Sequence, residues 1–168
     1  MVWDSASGAT LLDLDSQTTL VNGVAFSPDG RLLATTANDA LVRLWDAHSG
    51  RELVARSGHA GATFGVAFSP DGSRLASSSV DRTVKIWSVA GDSLVADEPL
   101  TLPGHTAAVY RVAWSPDGHR LATASRDGTS RIYVTDLDDL VALARSRVTR
   151  SLSAEECQKY LHQTQCPE

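Results

Sequence analysis

The run Ser27-Pro28-Asp29-Gly30 returns as Ser69-Pro70-Asp71-Gly72 and as Ser115-Pro116-Asp117-Gly118, at steps of 42 and 46 residues. A period of this length confines a chain to stacked supersecondary units, because one unit cannot bury its own apolar face and must use its neighbour's. Two further markers keep the phase. Trp3-Asp4, Trp45-Asp46 and Trp87-Ser88 lie 42 residues apart, and Tyr133-Val134 follows after 46. Gly58-His59 and Gly104-His105 each place histidine ten residues before the turn serine.

Local chemistry inside the period reads as strands. Val24-Ala25-Phe26, Val66-Ala67-Phe68 and Val112-Ala113-Trp114 are short and apolar, as a strand buried on both faces requires. Ser-Pro-Asp-Gly then turns the chain: Pro presets φ, Asp bonds its own backbone and Gly accepts positive φ. Returning strands follow at Leu32-Leu33-Ala34-Thr35, Leu75-Ala76-Ser77-Ser78 and Leu121-Ala122-Thr123-Ala124. A second turn holds Asp39, Asp81 or Asp127, and third strands run through Val42–Trp45, Val84–Trp87 and Arg131–Tyr133. Fourth strands are expected at Thr10–Leu12, Glu52–Ala55 and Pro99–Leu102.

Over residues 2 to 134 these motifs resemble the WD-repeat family. The expected fold is all-β: three consecutive four-stranded antiparallel propeller blades, forming a partial propeller or open arc, plus a short C-terminal helical tail. The repeats occupy residues 1–134, with blades at about 10–46, 52–88 and 99–134, and the tail occupies 135–168. The resemblance implies a rigid scaffold whose top face and rim bind other proteins.

His59, Asp81 and Ser77 or Ser79 suggest a Ser-His-Asp triad. The resemblance implies instead a structural hydrogen-bond network of His59, Ser77 or Ser79, Asp81 and Trp87. Blade three offers His105, Thr123 or Ser125, and Asp127, but Tyr133 stands where the tryptophan belongs. Blade one keeps Asp39 and Trp45, while Ser16-Gln17 replaces Gly-His, so this blade is expected to be the loosest. No strand–Ser–helix elbow accompanies any of these serines.

The family's partner contacts, carried over by position, fall on Leu20, Asn22 and Asn38, on Ala62, Phe64 and Val80, and on Ala108, Tyr110 and Arg126. Aromatic residues and Arg dominate interface energies, which singles out Phe64, Tyr110 and Arg126. Phe64 and Tyr110 equally suit packing between blades. Cys157, His162 and Cys166 lack paired metal-ligand spacing, so no metal is expected, and no cofactor motif is present.

Composition narrows the partners. The 168 residues are 42% hydrophobic and 21% charged, with a formal net charge of −5. A mildly acidic chain carries no electrostatic footprint for nucleic acid, and no apolar run is long enough for a membrane helix. The opening residues do not read as a signal peptide, and a cytoplasmic setting is expected.

After Val134 the apolar period becomes helical through Leu137, Leu140, Val141, Ala144 and Val148, with Thr135 as the expected cap. Ser153 and Glu156 form a capping box for a second helix. The segment from Leu143 to Cys157 resembles the end of bacterial multi-domain WD-repeat signalling proteins, which carry NTPase or other signalling domains upstream. The favoured expectation is therefore a non-catalytic interaction scaffold at the C-terminal end of a larger protein. Its alternative is the regulatory part of an NTPase or hydrolase. Propellers close with typically four to eight blades, so the other expectations are self-association of copies into a closed ring, or a stable open arc with the tail covering an end.

Overall fold

A computed structural model describes residues 2–12 and 19–147. Strands β1 (Val2–Trp3) and β2 (Thr10–Leu12) form a two-stranded antiparallel sheet. Blade one follows, with β3 (Val21–Phe26), β4 (Leu32–Ala37), β5 (Leu41–Asp46) and β6 (Glu52–Ser57) in that spatial order. Blade two is β7 (Thr63–Phe68), β8 (Arg74–Ser79), β9 (Val84–Ala90) and β10 (Ser93–Leu102). Blade three has three strands, β11 (Val109–Trp114), β12 (Arg120–Ser125) and β13 (Ser130–Val134). Every strand pairing is antiparallel.

The sequence repeat is out of phase with the sheets. The strand that opens each repeat pairs backward: β2 with β1, β6 with β5, and β10 with β9. The short turns holding Ser7-Gly8 and Ser49-Gly50 make those pairs hairpins, and a hairpin fixes the partner of its second strand. A full blade therefore runs from 21 to 57 or from 63 to 102. The four extra residues of the second period lie in the β9–β10 hairpin, whose register shifts between Val95 and Leu100.

Each Ser-Pro-Asp-Gly turn is tied by the same bonds. In blade one the Ser27 amide donates to Leu32 O at 2.9 Å, the Leu32 amide to Ser27 Oγ at 2.9 Å, and the Gly30 amide to Ser27 O at 2.9 Å. The Ser27 hydroxyl donates to Asp29 Oδ1 at 2.6 Å. Gly30, Gly72 and Gly118 sit at φ of 72°, 72° and 76°, which explains the glycine. In blade two the hydroxyls of Ser69 and Ser73 hold the Asp71 carboxyl down to about 2.

The second turn has the same need, met unevenly. Gly128 takes φ 82°, but Ala40 and Arg82 take 65° and 73° at the matching positions. A side chain in this region costs roughly 1–2 kcal/mol. Arg82→Gly is therefore expected to stabilise the chain by about 1 kcal/mol after its entropy cost. A urea midpoint unchanged or lowered in that variant would show that the Arg82 side chain contributes more than its strain costs.

The core lies between blades. Leu32, Ala34, Val42 and Leu44 of blade one bury against Val66, Phe68, Leu75 and Trp87 of blade two. Ala76, Val84 and Ile86 of blade two meet Val109, Val112 and Leu121 of blade three. The inner strands β3, β7 and β11 stand side by side. Gly23 and Gly65 allow this, because a Cβ on Gly23 would lie 2.2 Å from Phe64 O and one on Gly65 would lie 3.1 Å from Tyr110 O.

Polar contacts tie the same junctions. The Thr63 hydroxyl accepts from the Ala37 amide at 3.0 Å and donates to Ala37 O at 2.9 Å. The Thr36 hydroxyl donates to Phe64 O at 2.8 Å. Between blades two and three, Arg74 donates to Gly118 O at 2.9 Å and lies 4.6 Å from the ring centre of Trp114. The Trp114 indole donates to Ala67 O at 3.1 Å.

The two outermost faces of this stack are open. Val24 and Phe26 are 63% and 57% exposed, although their counterparts Val66 and Phe68 are buried. Ile132 is 70% exposed, although Leu44 and Ile86 are buried.

Residues from Asp136 onward form a separate unit. Its helix α1 (Leu137–Arg147) has acidic residues in its first turn and Arg145 and Arg147 in its last, matching the helix dipole. Asp136, not Thr135, caps it: the amides of Asp138 and Asp139 donate to Asp136 Oδ1 at 3.0 and 3.1 Å. Thr135 is still in blade three's hydrogen-bond pattern, donating to His119 O at 3.0 Å. The expected second helix, with Ser153, Glu156, Cys157, His162 and Cys166, lies outside the described residues. No described helix is long and apolar enough to cross a membrane.

Candidate functional site

Blade two brings His59, Ser77, Asp81 and Trp87 together. The Trp87 indole N–H donates to Ser77 Oγ at 2.8 Å. Ser77 Oγ lies 2.8 Å from His59 Nε2, and His59 Nδ1 lies 2.9 Å from Asp81 Oδ2. The directions follow from proton inventory. Indole only donates and an ionised carboxylate only accepts, so Nδ1 carries the imidazole proton and Ser77 donates to Nε2. The resulting chain runs Trp87 to Ser77 to His59 to Asp81, with every donor used.

These distances match those of a Ser-His-Asp triad, but the setting differs. Ser77 is fully buried, the His59 side chain is sealed from solvent, and the hydroxyl is already engaged by Trp87. A nucleophile must meet its substrate in a cleft beside an oxyanion hole. Ser79 stands apart from the histidine, donating to Gly61 O at 3.0 Å and accepting from the Asp81 amide at 3.1 Å.

Blade three repeats the set except for the tryptophan. His105 bridges Thr123 Oγ1 and Asp127 Oδ2, both at 2.8 Å. Tyr133 does not join it: its hydroxyl donates to Pro103 O at 3.0 Å. The phenol reaches past the strand-two hydroxyl that the shorter-reaching indole N–H meets. Ser125 donates to Ala108 O at 2.9 Å, as Ser79 does at its own loop.

In blade one, Trp45 donates to Thr35 Oγ1 at 2.9 Å, a partner that was not among the sequence candidates. Asp39 pairs with Arg43 Nη2 at 2.6 Å, and Arg43 Nε lies 3.4 Å from Glu52. The buried guanidinium thus partners the turn aspartate, as the imidazole does in the other blades. Every residue of β4 is buried, so the middle of the blade expected to be loosest is tightly packed. Ser16 and Gln17 lie outside the described residues.

Protonation follows this wiring. Burial pushes His59 below its ordinary 6.5, against the raising effect of the Asp81 carboxylate. Burial also works to raise Asp81, but the Thr83 hydroxyl, the amides of Ala60 and Thr83, and His59 hold it at about 2. Asp127 likewise falls well below the carboxylate range, chiefly through the Thr129 hydroxyl. A depressed histidine means that the unfolded chain binds the proton first. His59 therefore contributes stability above pH 6.5 that is lost as pH falls through that value, and Asp81 adds a second loss between 3.8 and about 2. Thermal unfolding between pH 8 and 5 is expected to show a steeper fall in Tm for the native chain than for His59→Gln. Parallel curves would mean that His59 titrates alike in the folded and unfolded states.

The positions carried over as partner contacts lie at matching corners of the blades. The Asn38 amide donates to Leu20 O at 3.0 Å, the Val80 amide to Ala62 O at 3.0 Å, and the Arg126 amide to Ala108 O at 2.8 Å. Asn38, Val80 and Arg126 are exposed. Asn22 donates its amide to Asn38 Oδ1 and Thr63 O, both at 2.8 Å. Phe64 and Tyr110 pack edge to face with ring centres 5.0 Å apart, yet Tyr110 keeps part of its surface in solvent. Beside them a groove of about 350 Å³ crosses the inner strands, lined by Val21, Val24, Val66, Val112 and Arg111.

Comparison with known proteins agrees with this geometry. Among solved structures the chain is similar to that of U3-55K, with a TM-score of 0.66 and 23% identity, over 73% of this chain and 38% of that one. It is similar to the RRP9 WD40 repeats with a TM-score of 0.66 and 24% identity, over 73% of this chain and 37% of that one. The chain thus spans little more than a third of either, and at this identity the likeness is one of fold. No curated protein matches it significantly. The model of the WD domain, G-beta repeat, matches residues 8–46, 50–88 and 97–133, and with most of its length so matched the chain belongs to the WD40 repeat family.

Proposed function

We propose that the chain is a non-catalytic scaffold that binds other proteins through the blade corners at Asn22, Asn38, Phe64, Val80, Tyr110 and Arg126. The observation that carries this reading is the set of equivalent backbone bonds from Asn38, Val80 and Arg126. They present three exposed side chains of different chemistry at one level of a rigid stack. Rigid elements lower the ordering cost of binding, and Arg and Tyr supply the anchoring contacts. Burial of the Ser77–His59–Asp81 set supports a structural role for it.

The open faces at Val24, Phe26 and Ile132 support a finer reading: the chain works within a longer signalling or regulatory protein, of the bacterial kind its tail resembles. Affinity capture with the full chain tests the scaffold reading. Proteins retained by the native chain are expected to be lost with Val80→Asp combined with Arg126→Glu, and kept with Asp92→Lys at the opposite end. Retention unaffected by the double variant would place the binding surface elsewhere.

A further inference from the structure

The fifth residue after each turn serine breaks the repeat: it is Leu32 in blade one, Arg74 in blade two and Arg120 in blade three. Between blades two and three, Arg74 reaches the next turn, donates to Gly118 O at 2.9 Å and lies 4.6 Å from the ring centre of Trp114. Between blades one and two the turns are stacked alike. A Cβ on Gly72 would lie 3.5 Å from Pro28 Cδ, and one on Gly118 would lie 3.5 Å from Pro70 Cδ. The Cβ on Gly118 would also meet Arg74 Nη2 at 3.8 Å, whereas the one on Gly72 would meet no cation. Leu32 is buried in the core and has no donor to offer Gly72 O.

A cleft of about 430 Å³ opens at that place. Leu32, Val89 and Pro28 give it apolar walls, and the exposed carboxylates of Asp29, Asp71 and Asp92 stand around it. Asp71 is held at about 2 by its serine hydroxyls and is ionised at neutral pH. Arg31 is the opposing charge, one against three. The three carboxylates do not bring their oxygens within 4.8 Å of one another, as the ligands of a single metal ion do. They suit a cation that is long and broad. The cleft lies at a junction between two described blades, away from the open faces at Val24, Phe26 and Ile132, so further blades stacked on either end leave it uncovered.

We infer that this cleft receives an arginine side chain from a basic segment of a partner protein. The incoming guanidinium takes the place that Arg74 takes one junction along. It donates to Gly72 O, its stem lies on Leu32 and Val89, and its charge faces Asp29, Asp71 and Asp92. Arginine brings five donors in a fixed fork and a stem that covers apolar surface. The chain makes this contact for itself between blades two and three, and the partner supplies it where the repeat leaves it out. The cleft is at the other end of the strands from the blade corners, so this contact is additional to the corner surface.

The test is fluorescence anisotropy with the full chain and a fluorescein-labelled hexapeptide alternating leucine with arginine. Versions carrying citrulline or lysine instead of arginine are the controls. The arginine peptide is expected to bind at low salt, to weaken as salt screens the charges, and to exceed both controls. Leu32→Arg supplies the missing guanidinium from within the chain and is expected to weaken the peptide about tenfold. Ser57→Lys adds the same charge at the corner end of blade one and is expected to leave binding unchanged. Asp92→Asn and Arg31→Gln alter exposed side chains only, and are expected to weaken and to strengthen binding about threefold, respectively. Circular dichroism confirms folding of each variant, and if Leu32→Arg does not fold, the two exposed variants decide. Equal binding of the citrulline peptide overturns the inference, as does no loss in a folded Leu32→Arg chain, no response to Asp92→Asn and Arg31→Gln, or an absence of binding by the arginine peptide. One side-chain anchor does not hold a protein through washing, so affinity capture reads the corners and anisotropy reads the cleft. Capture lost with Val80→Asp and Arg126→Glu therefore leaves the scaffold reading standing whatever the peptide does.

Discussion

Ser77→Ala is expected to cost about 3 kcal/mol, more than deletion of the matching hydroxyl in either of the other blades. Ser77 serves two partners at once, the indole of Trp87 and Nε2 of His59, both at 2.8 Å. Its removal leaves a buried donor and a buried acceptor with nothing to bond, and each such group costs roughly 1–3 kcal/mol. The matching hydroxyls carry less. Thr35 serves Trp45 and Thr123 serves His105. Thr35→Val and Thr123→Val are therefore expected to cost about 1–2 kcal/mol each. Urea unfolding of the three variants gives the ranking. A double variant with His59→Ala should cost less than the sum of the two single changes, because both remove members of one connected network. Additive costs, or Ser77→Ala ranking below Thr35→Val, would show that the bonds act independently.

Gly23→Ala is expected to be at least as disruptive. The new methyl would lie 2.2 Å from Phe64 O and 2.6 Å from Thr36 Oγ1. The first of these is backbone and cannot swing aside. The strands β3 and β7 must then separate, which stretches the Thr36–Phe64, Asn22–Thr63 and Thr63–Ala37 bonds together. Overpacking of this kind costs about 3 kcal/mol and can cost more. Gly65→Ala provides the comparison. There the nearest atom is the Ser78 hydroxyl at 2.8 Å, a side chain, and the backbone atoms are at 3.1 Å. A few tenths of an ångström of movement suffices, and a cost of about 1–2 kcal/mol follows. Two variants of equal stability would mean that the junctions between blades one and two and between two and three are equally compliant.

Most strands were legible because their signals are local. Ser-Pro-Asp-Gly sets a turn by its own chemistry, and Val-Ala-Phe before it needs no distant information. The choice between Ser77 and Ser79 was not legible. They lie two residues apart on one face of β8, and only the register of β8 on β9 decides which meets the indole. Thr35 could have been found, since Thr35, Ser77 and Thr123 each stand eight residues after a turn serine. Gly23 and Gly65 also carried a usable sign, because a glycine inside a strand marks a close backbone approach. The Asp39–Arg43 pair was hidden, for it depends on a side chain reaching back across a turn.

The offset between repeat and sheet has a consequence for how such arrays change length. Removing one whole period spanning β6 to β9 would bring β10 beside β5, where β6 had been. A four-stranded sheet would close again, with no new unpaired edge and no strand turned inside out. Had repeat and sheet coincided, a cut at their common boundary would separate two finished blades, and nothing covalent would enforce the order in which they stack. Here the hairpin between the third strand of one repeat and the first strand of the next acts as a stitch. Each gain or loss of a period is knitted into the neighbouring sheet, so the count of blades can drift while the seam stays whole.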